Sequence, residues 1–383
     1  MTVKETMTPM ERIDAAIALQ PVDRVPVVPM MDFFCARQKG VPLAQFIRDG
    51  DLGRDLLQQI FEEYGGWDAT FLGTTLNEFA WTLTLMMPIK IPGRELPENE
   101  LWQFDEREVM TPADYDFILE NGWMPYWQQM FPRVRPHIPA HEVPVHLQAW
   151  LDQAVRDTLK WESKGILTFT GVAVVPPLEV FSMARSIKEF SLDLYRRPDK
   201  VVAAMDRVVD DLIHTGIGGM TGMKQATKWG FRTAFFAGTR ATFLSPKQFD
   251  RFAWPYIKKG VLAYVDAGIT PLLHFDSNWT PYLHYFRELP RGKVVLEIDG
   301  QTDIFKAKEV LGDHLCIMGD VPAQLLKLGT PDDVRTYVKK LIDVVGKGGS
   351  FILSTGCDCP IDAKPENVKA MIEVGKTYYP HLN

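Results

Sequence analysis

A histidine, several carboxylates and two cysteines recur at the ends of short apolar runs in the last third of this 383-residue chain. One run ends His274-Phe-Asp276, the next Glu297-Ile-Asp299-Gly, the next Gly319-Asp320, and the last Gly356-Cys357-Asp358-Cys359-Pro. Residues two apart on a strand share a face, so His274 points the same way as Asp276, and Glu297 the same way as Asp299. Imidazole and thiolate together favour zinc over hard, oxygen-seeking cations. A catalytic zinc takes three protein ligands and keeps one position open. Each residue also has a plainer reading. A lone strand-end histidine is usually hydrogen-bonded structure, an isolated Cys-x-Cys is a weak zinc signal, and strand-end acids often cap helices. The coincidence of position outweighs these, with His274 and Cys357 as the firmest ligands.

The runs that carry these residues define the elements. They are Val25–Met31, Asp68–Leu72, Ile166–Thr170, Thr233–Ala237, Pro271–Phe275, Val294–Ile298, Leu315–Met318 and Phe351–Ser354. Continuous apolar runs of this length suit strands buried on both faces. Helix signals lie between them. Ser245-Pro and Thr330-Pro supply an N-cap followed by Pro at the first helical position, and Asp362–Gly375 reads as a final helix. Strands alternating with helices imply a parallel sheet with right-handed crossovers. Eight units predict a single (β/α)8 TIM barrel over residues 1–383, with an open doubly wound sheet as the alternative. In a barrel the strand ends named above meet at one mouth. The Pro- and Trp-rich stretch at about 75–160 exceeds one βα unit and reads as an insertion capping that mouth.

Composition narrows the function classes. The net charge of −7 offers no basic footprint for nucleic acid or an anionic lipid surface. No run reaches the roughly 18 apolar residues of a membrane span, and the N-terminus shows no secretory h-region. Four cysteines in so long a chain are not a disulfide framework. The expected setting is cytoplasmic. Twenty-two Phe and 16 Met would suit a pocket for a flat apolar ligand.

Several segments resemble the uroporphyrinogen decarboxylase superfamily. They are Met10-Glu11-Arg12 with Asp23-Arg24-Val25-Pro26, Leu244-Ser245-Pro246 with Trp254-Pro255-Tyr256, Gly319-Asp320-Val-Pro, and Pro365-Glu366-Asn367-Val368-Lys369-Ala370. The resemblance spans nearly the whole chain outside the insertion and implies a (β/α)8 barrel. The superfamily contains decarboxylases and zinc-dependent methyltransferases that work with corrinoid proteins. The decarboxylases carry an Arg-rich loop after the first strand and an Asp after the second. Here those places read Met30-Met31-Asp-Phe33-Phe34-Cys-Ala-Arg37-Gln and Phe71-Leu-Gly-Thr-Thr75. One Arg remains and the aspartate is missing, so the apolar Met30, Met31, Phe33 and Phe34 could not balance a polycarboxylate. With Phe236 they are the expected lining of a substrate pocket.

The methyltransferases carry His-x-Cys and a distant final Cys. His274 and Cys357 are similar to that pattern, while Asp276 replaces the middle Cys. Glu297 falls where cobalamin-independent methionine synthase has a zinc-binding Glu. The resemblance therefore implies His274, Glu297 and Cys357 as zinc ligands, with Asp276 as a fourth ligand or a partner of one. Asp276, Asp299 and Asp320 are the candidate catalytic carboxylates. Exchanging a thiolate for carboxylate oxygen suits a metal that polarises an ether oxygen. The expected activity is transfer of a methyl group from a methoxylated, aromatic substrate to the Co(I) corrinoid of a partner protein. Methylation of a thiol or folate from a methylcorrinoid, and a metal-free decarboxylase of the same fold, are the alternatives. Glu179 reads as an exposed loop residue, and Asp320 as a cap for the helix after it.

Overall fold

The computed structural model describes residues 5–73, 86–238 and 240–380, with the side chains of 172–174 left aside. Nine strands lie in the described chain: β1 (Ala69–Leu72), β2 (Ile89–Lys90), β3 (Gln103–Phe104), β4 (Leu167–Val174), β5 (Phe231–Gly238), β6 (Thr270–Phe275), β7 (Val295–Ile298), β8 (Cys316–Asp320) and β9 (Phe351–Ser354). Seven of them form one parallel sheet in the order β1-β4-β5-β6-β7-β8-β9. Every residue of β7, β8 and β9 is buried. That is the pattern of strands covered on both faces, and it explains why their sequences are uninterrupted apolar runs.

The sheet curls until its edges are bridged by the first apolar run. Val28 N–H donates to Leu353 O and Leu353 N–H to Pro26 O, while Asp68 N–H donates to Val27 O. Residues 26–28 thus touch β9 on one side and the entry to β1 on the other. They form only an isolated bridge, Val27 to Leu353, instead of the expected full strand. The reason is local: Pro26 and Pro29 have no N–H to give a ladder. The seam is held by charge as well. Asp68 accepts from Val27 N–H at 2.7 Å, from Arg24 Nη1 at 2.7 Å and from Arg12 Nη1 at 2.6 Å. Arg12 Nε also donates to Asp23 Oδ1 at 2.6 Å. All four side chains are buried.

The helices begin where the caps require. Ser245 and Thr330 each close a capping box with Pro next in line. Helix Pro331–Val344 buries Val334, Val338, Leu341 and Ile342, one stripe at helical spacing. The last helix is Pro365–Thr377, starting a little later than the sequence suggests. Thr74 and Thr75, where the missing aspartate was sought, fall outside the described residues, as does the start of the 75–160 stretch. Its described part holds the antiparallel β2–β3 pair and helices Pro112–Asn121, Trp123–Val134 and Val143–Ser163. Among the described residues, no helix is long and apolar enough to cross a membrane.

Candidate metal centre

His274 is the penultimate residue of β6, and its register partner on β7 is Glu297. Both side chains are buried. Glu297 Oε2 lies 2.7 Å from His274 Nδ1. A carboxylate can only accept there, so Nδ1 carries the proton and Nε2 is turned outward as the ligand atom. Glu297 is itself steadied by Ser354 Oγ of β9 at 3.4 Å. The ring lies on Phe235 of β5, with centroids 4.8 Å apart and planes tilted by 32°.

Nε2 of His274 faces two further donors, Asp276 Oδ1 at 3.4 Å and Cys357 Sγ at 3.8 Å. The ligand atoms of His274, Asp276 and Cys357 all lie within 4.8 Å of one another. Burial pushes the Cys357 thiol up, opposed by the histidine. Burial would lower the His274 proton affinity, but Glu297, Cys357 and Asp276 override it and hold the group well above its usual range. A nitrogen, a sulfur and an oxygen converging on one point, with the histidine oriented from behind, fit a zinc site with an open position.

Local chain geometry explains the convergence. Gly356 sits at φ 76, and a Cβ there would lie 3.1 Å from Ile298 O and 3.4 Å from Asp320 Cα. Only glycine lets the Cys357 loop pass so close to the ends of β7 and β8. Thr355 Oγ1 donates to Cys357 O at 2.6 Å and accepts Met30 N–H, and Cys359 N–H donates to Met30 O. Asp276 is placed by the loop after β6. There Trp279 Nε1 donates to Asp276 O at 2.8 Å, and Ser277 N–H donates to Asp299 Oδ2 at 3.0 Å.

The structure sorts the expected residues. His274, Asp276 and Cys357 come together. Glu297 stands on the Nδ1 side of His274, outside the ligand trio. Asp299 accepts from Ser277 N–H, Gln301 N–H and Gln301 Nε2, tying the loops after β6 and β7. Asp320 accepts from Tyr337 OH at 2.8 Å, while the following helix, Ala323–Leu328, has Pro322 as an N-cap without a side-chain bond. It therefore does not cap that helix. Burial pushes its carboxyl up to about 7, against the Tyr337 hydrogen bond. Glu179 is buried in helix Pro177–Arg185, not exposed, and accepts Arg240 N–H at 2.8 Å.

The expected pocket residues divide between helix packing and the Cys357 loop, which Met30 flanks. Phe33 packs on Phe46, Phe34 on Tyr64, and Phe236 edge-on to Tyr264 of helix Trp254–Asp266. All three lie against helices. Met30 and Met31 are almost fully buried, and Met30 serves through its backbone. Phe235, beside His274, was missed. The signal was available in the alternation, since Ala237 is the register partner of His274 and Phe235 shares its face.

The family model for uroporphyrinogen decarboxylase (URO-D) matches residues 153–378. The chain belongs to the uroporphyrinogen decarboxylase family. Two curated relatives show its range. A uroporphyrinogen decarboxylase of Syntrophotalea carbinolica is 23% identical over 47% of this chain and 49% of its own length. The methylcobamide:CoM methyltransferase MtbA of Methanosarcina acetivorans is 30% identical over 34% of this chain and 37% of its own. The chain thus spans about half or less of these relatives' length. A solved methyltransferase from Methanosarcina mazei has the same fold throughout, with a TM-score of 0.70, 21% identity, and coverage of 96% of this chain and 98% of that one.

Proposed function

We propose that this member of the family is a zinc-dependent methyltransferase that takes a methyl group from a methoxylated aromatic compound and passes it to the Co(I) corrinoid of a partner protein. The observation that carries this reading is the mixed nitrogen, oxygen and sulfur donor set of His274, Asp276 and Cys357. A zinc ion bound there would supply Lewis acidity toward the ether oxygen, whose departure as phenolate is otherwise difficult. Glu297 fixes the tautomer and aim of His274. Asp276 replaces a second sulfur with oxygen and so keeps the site suited to an oxygen ligand. Asp299 holds the loop that presents Asp276. Phe235 and Phe71, 6.1 Å apart, add apolar surface beside the histidine.

The 75–160 insertion is read as the cover of the barrel mouth. Val109 and Met110 N–H both donate to Ala184 O, and Glu106 Oε1 accepts Ile187 N–H at 2.7 Å. Those contacts fasten the insertion to the chain that follows β4.

The test is spectroscopic. Zinc-loaded protein is mixed with a reduced corrinoid protein and a panel of aryl methyl ethers, and methylcobalamin absorbance is followed. Formation with at least one ether, lost in Cys357→Ala, is expected; zinc-loaded protein inert toward every ether would sink the reading. The similarity to a methylcobamide:CoM methyltransferase favours one second reading, transfer from methylcorrinoid to a thiol. Thiol-dependent loss of the methylcobalamin band, without formation from ethers, would select it. A protein purified without stoichiometric zinc would leave the metal-free decarboxylase.

A further inference from the structure

One arginine at the same end of the sheet as the metal centre lacks a hydrogen-bonded carboxylate. Arg240 opens the short 3-10 turn Arg240–Phe243, just past the end of β5. Glu179 Oε1 fixes its backbone by accepting Arg240 N–H at 2.8 Å. Its guanidinium lies between helix Pro177–Arg185 and the 75–160 stretch, with Nη1 3.4 Å from Ser182 O and Nη2 3.9 Å from Met87 Sδ. Among the described residues, the carboxylate oxygen nearest the guanidinium is Glu106 Oε2, 3.7 Å from Nη2. That is beyond hydrogen-bond reach, and the other oxygen of Glu106 accepts Ile187 N–H at 2.7 Å. The buried Arg12, Arg24, Arg54 and Arg185 differ, since each holds a carboxylate oxygen at 2.7 Å or closer. The Arg240 side chain is only 13% exposed. It has given up most of its hydration without gaining such a bond.

Solvent access marks a way from this guanidinium to the metal centre. Ala237 is the register partner of His274, and Arg240 follows it by three residues. Three residues reach at most about 11 Å, and paired strands lie about 5 Å apart. Along β5, Phe235 and Ala237 keep partial exposure while Ala234, Phe236 and Gly238 are buried. The partly exposed face is the one that carries Phe235 against the His274 ring. Asp276 and Cys357 keep partial exposure as well. A guanidinium is a rigid fork of donors that matches both oxygens of a carboxylate, and one fork suits one carboxylate. We propose that Arg240 binds a carboxylate on the aromatic substrate, across the ring from the methoxy group that faces the His274 group. The substrate class is then methoxybenzoates, not neutral ethers. The methoxy group rests on the methyltransferase reading; the carboxylate site stands without it.

Binding is measured by calorimetry on zinc-loaded protein without corrinoid, so that no methyl transfer is required and the two readings fail separately. The probes are meta- and para-methoxybenzoate and their neutral isosteres, the methoxybenzamides. At least one carboxylate should bind at least about tenfold more tightly than its amide, the worth of a hydrogen bond to a charged group. Arg240→Met should bring the pair to within about threefold with zinc content unchanged; a carboxylate held by the zinc ion would keep its preference there. Arg240→Lys retains the charge without the fork and should keep only part of the preference. Glu106→Gln removes a competing carboxylate and should leave the preference intact or larger, which a merely structural Arg240–Glu106 tie would not. Equal binding of carboxylate and amide by the wild type, a preference unchanged in Arg240→Met, or its complete loss in Glu106→Gln overturns the proposal. Should Arg240→Met fail to fold, Arg240→Lys decides: a reduced preference supports the site and an unchanged one refutes it.

Discussion

His274 Nδ1 and Glu297 Oε2 are 2.7 Å apart at paired positions on adjacent strands, both buried. In the proposed zinc site Glu297 would therefore act through the histidine. Zinc content separates the roles. His274→Ala and Cys357→Ala should each bring purified protein from about one zinc per chain to almost none. Glu297→Gln should keep the zinc but weaken its affinity about 10–100-fold, the usual cost of losing a carboxylate that orients a ligating histidine. A competition titration with a chelator reads the difference. If Glu297→Gln loses zinc as completely as His274→Ala, Glu297 is a ligand.

Asp320 gives the protein a stability loss between about pH 4 and 7. Its folded carboxyl titrates at about 7, above the value of an unfolded aspartate, because burial disfavours the charge. The folded state therefore binds the proton more tightly than the unfolded state. Stability is unaffected by this group below about pH 4, falls as pH rises toward 7, and is flat beyond. The full difference is up to about 4 kcal/mol. Urea denaturation at pH 5 and 8 should show it, and Asp320→Asn, which still accepts from Tyr337, should flatten the profile. An unchanged slope in the variant refutes the assignment.

The opposite sign belongs to Asp23 at the barrel seam. Burial raises its carboxyl, but the Arg12 side chain and the N–H groups of Met7 and Thr6 outweigh this and hold it at about 2. Its contribution is fully present above about pH 4 and is lost as pH falls toward 2. Arg12→Met should cost about 3–5 kcal/mol at pH 7, because buried Asp23 loses its guanidinium partner and Asp68 keeps only Arg24 of its two. It should also shrink the acid transition between pH 4 and 2. A cost under about 1 kcal/mol would show that water replaces the guanidinium.

These residues mark how far the sequence could be read. The strands of the sheet were legible because both their faces are covered, so Val294–Ile298 or Phe351–Ser354 could hardly be anything else. Val25–Met31 has the same apolar character, yet its prolines withhold the N–H groups that a ladder needs. His274 and Cys357 were visible from residue type and position. Which side of the imidazole Glu297 approaches is set by strand register, and register depends on packing between distant segments that spacing alone does not encode.

Two glycines in helices separate intrinsic preference from packing, and they test the seam directly. Gly222, in helix Pro198–Ala226, has open space where a Cβ would stand. Gly375, in helix Pro365–Thr377, would place a Cβ 2.6 Å from Val27 Cγ2 and 2.7 Å from Leu353 Cδ2, the two residues of the isolated bridge. Alanine is favoured over glycine in a helix by about 1 kcal/mol, so Gly222→Ala should stabilise by up to that amount. At Gly375 the same gain meets a clash with two fully buried side chains, Val27 and Leu353, and overpacking of this kind costs about 1–3 kcal/mol. Gly375→Ala should therefore be net destabilising, and Gly375→Ala with Val27→Ala should recover part of the loss by making room. Denaturant midpoints of the three variants decide it. If Gly375→Ala is as stabilising as Gly222→Ala, the helix does not press on the Val27–Leu353 bridge, and the seam is held there by its backbone hydrogen bonds and the Arg12, Arg24 and Asp68 charges.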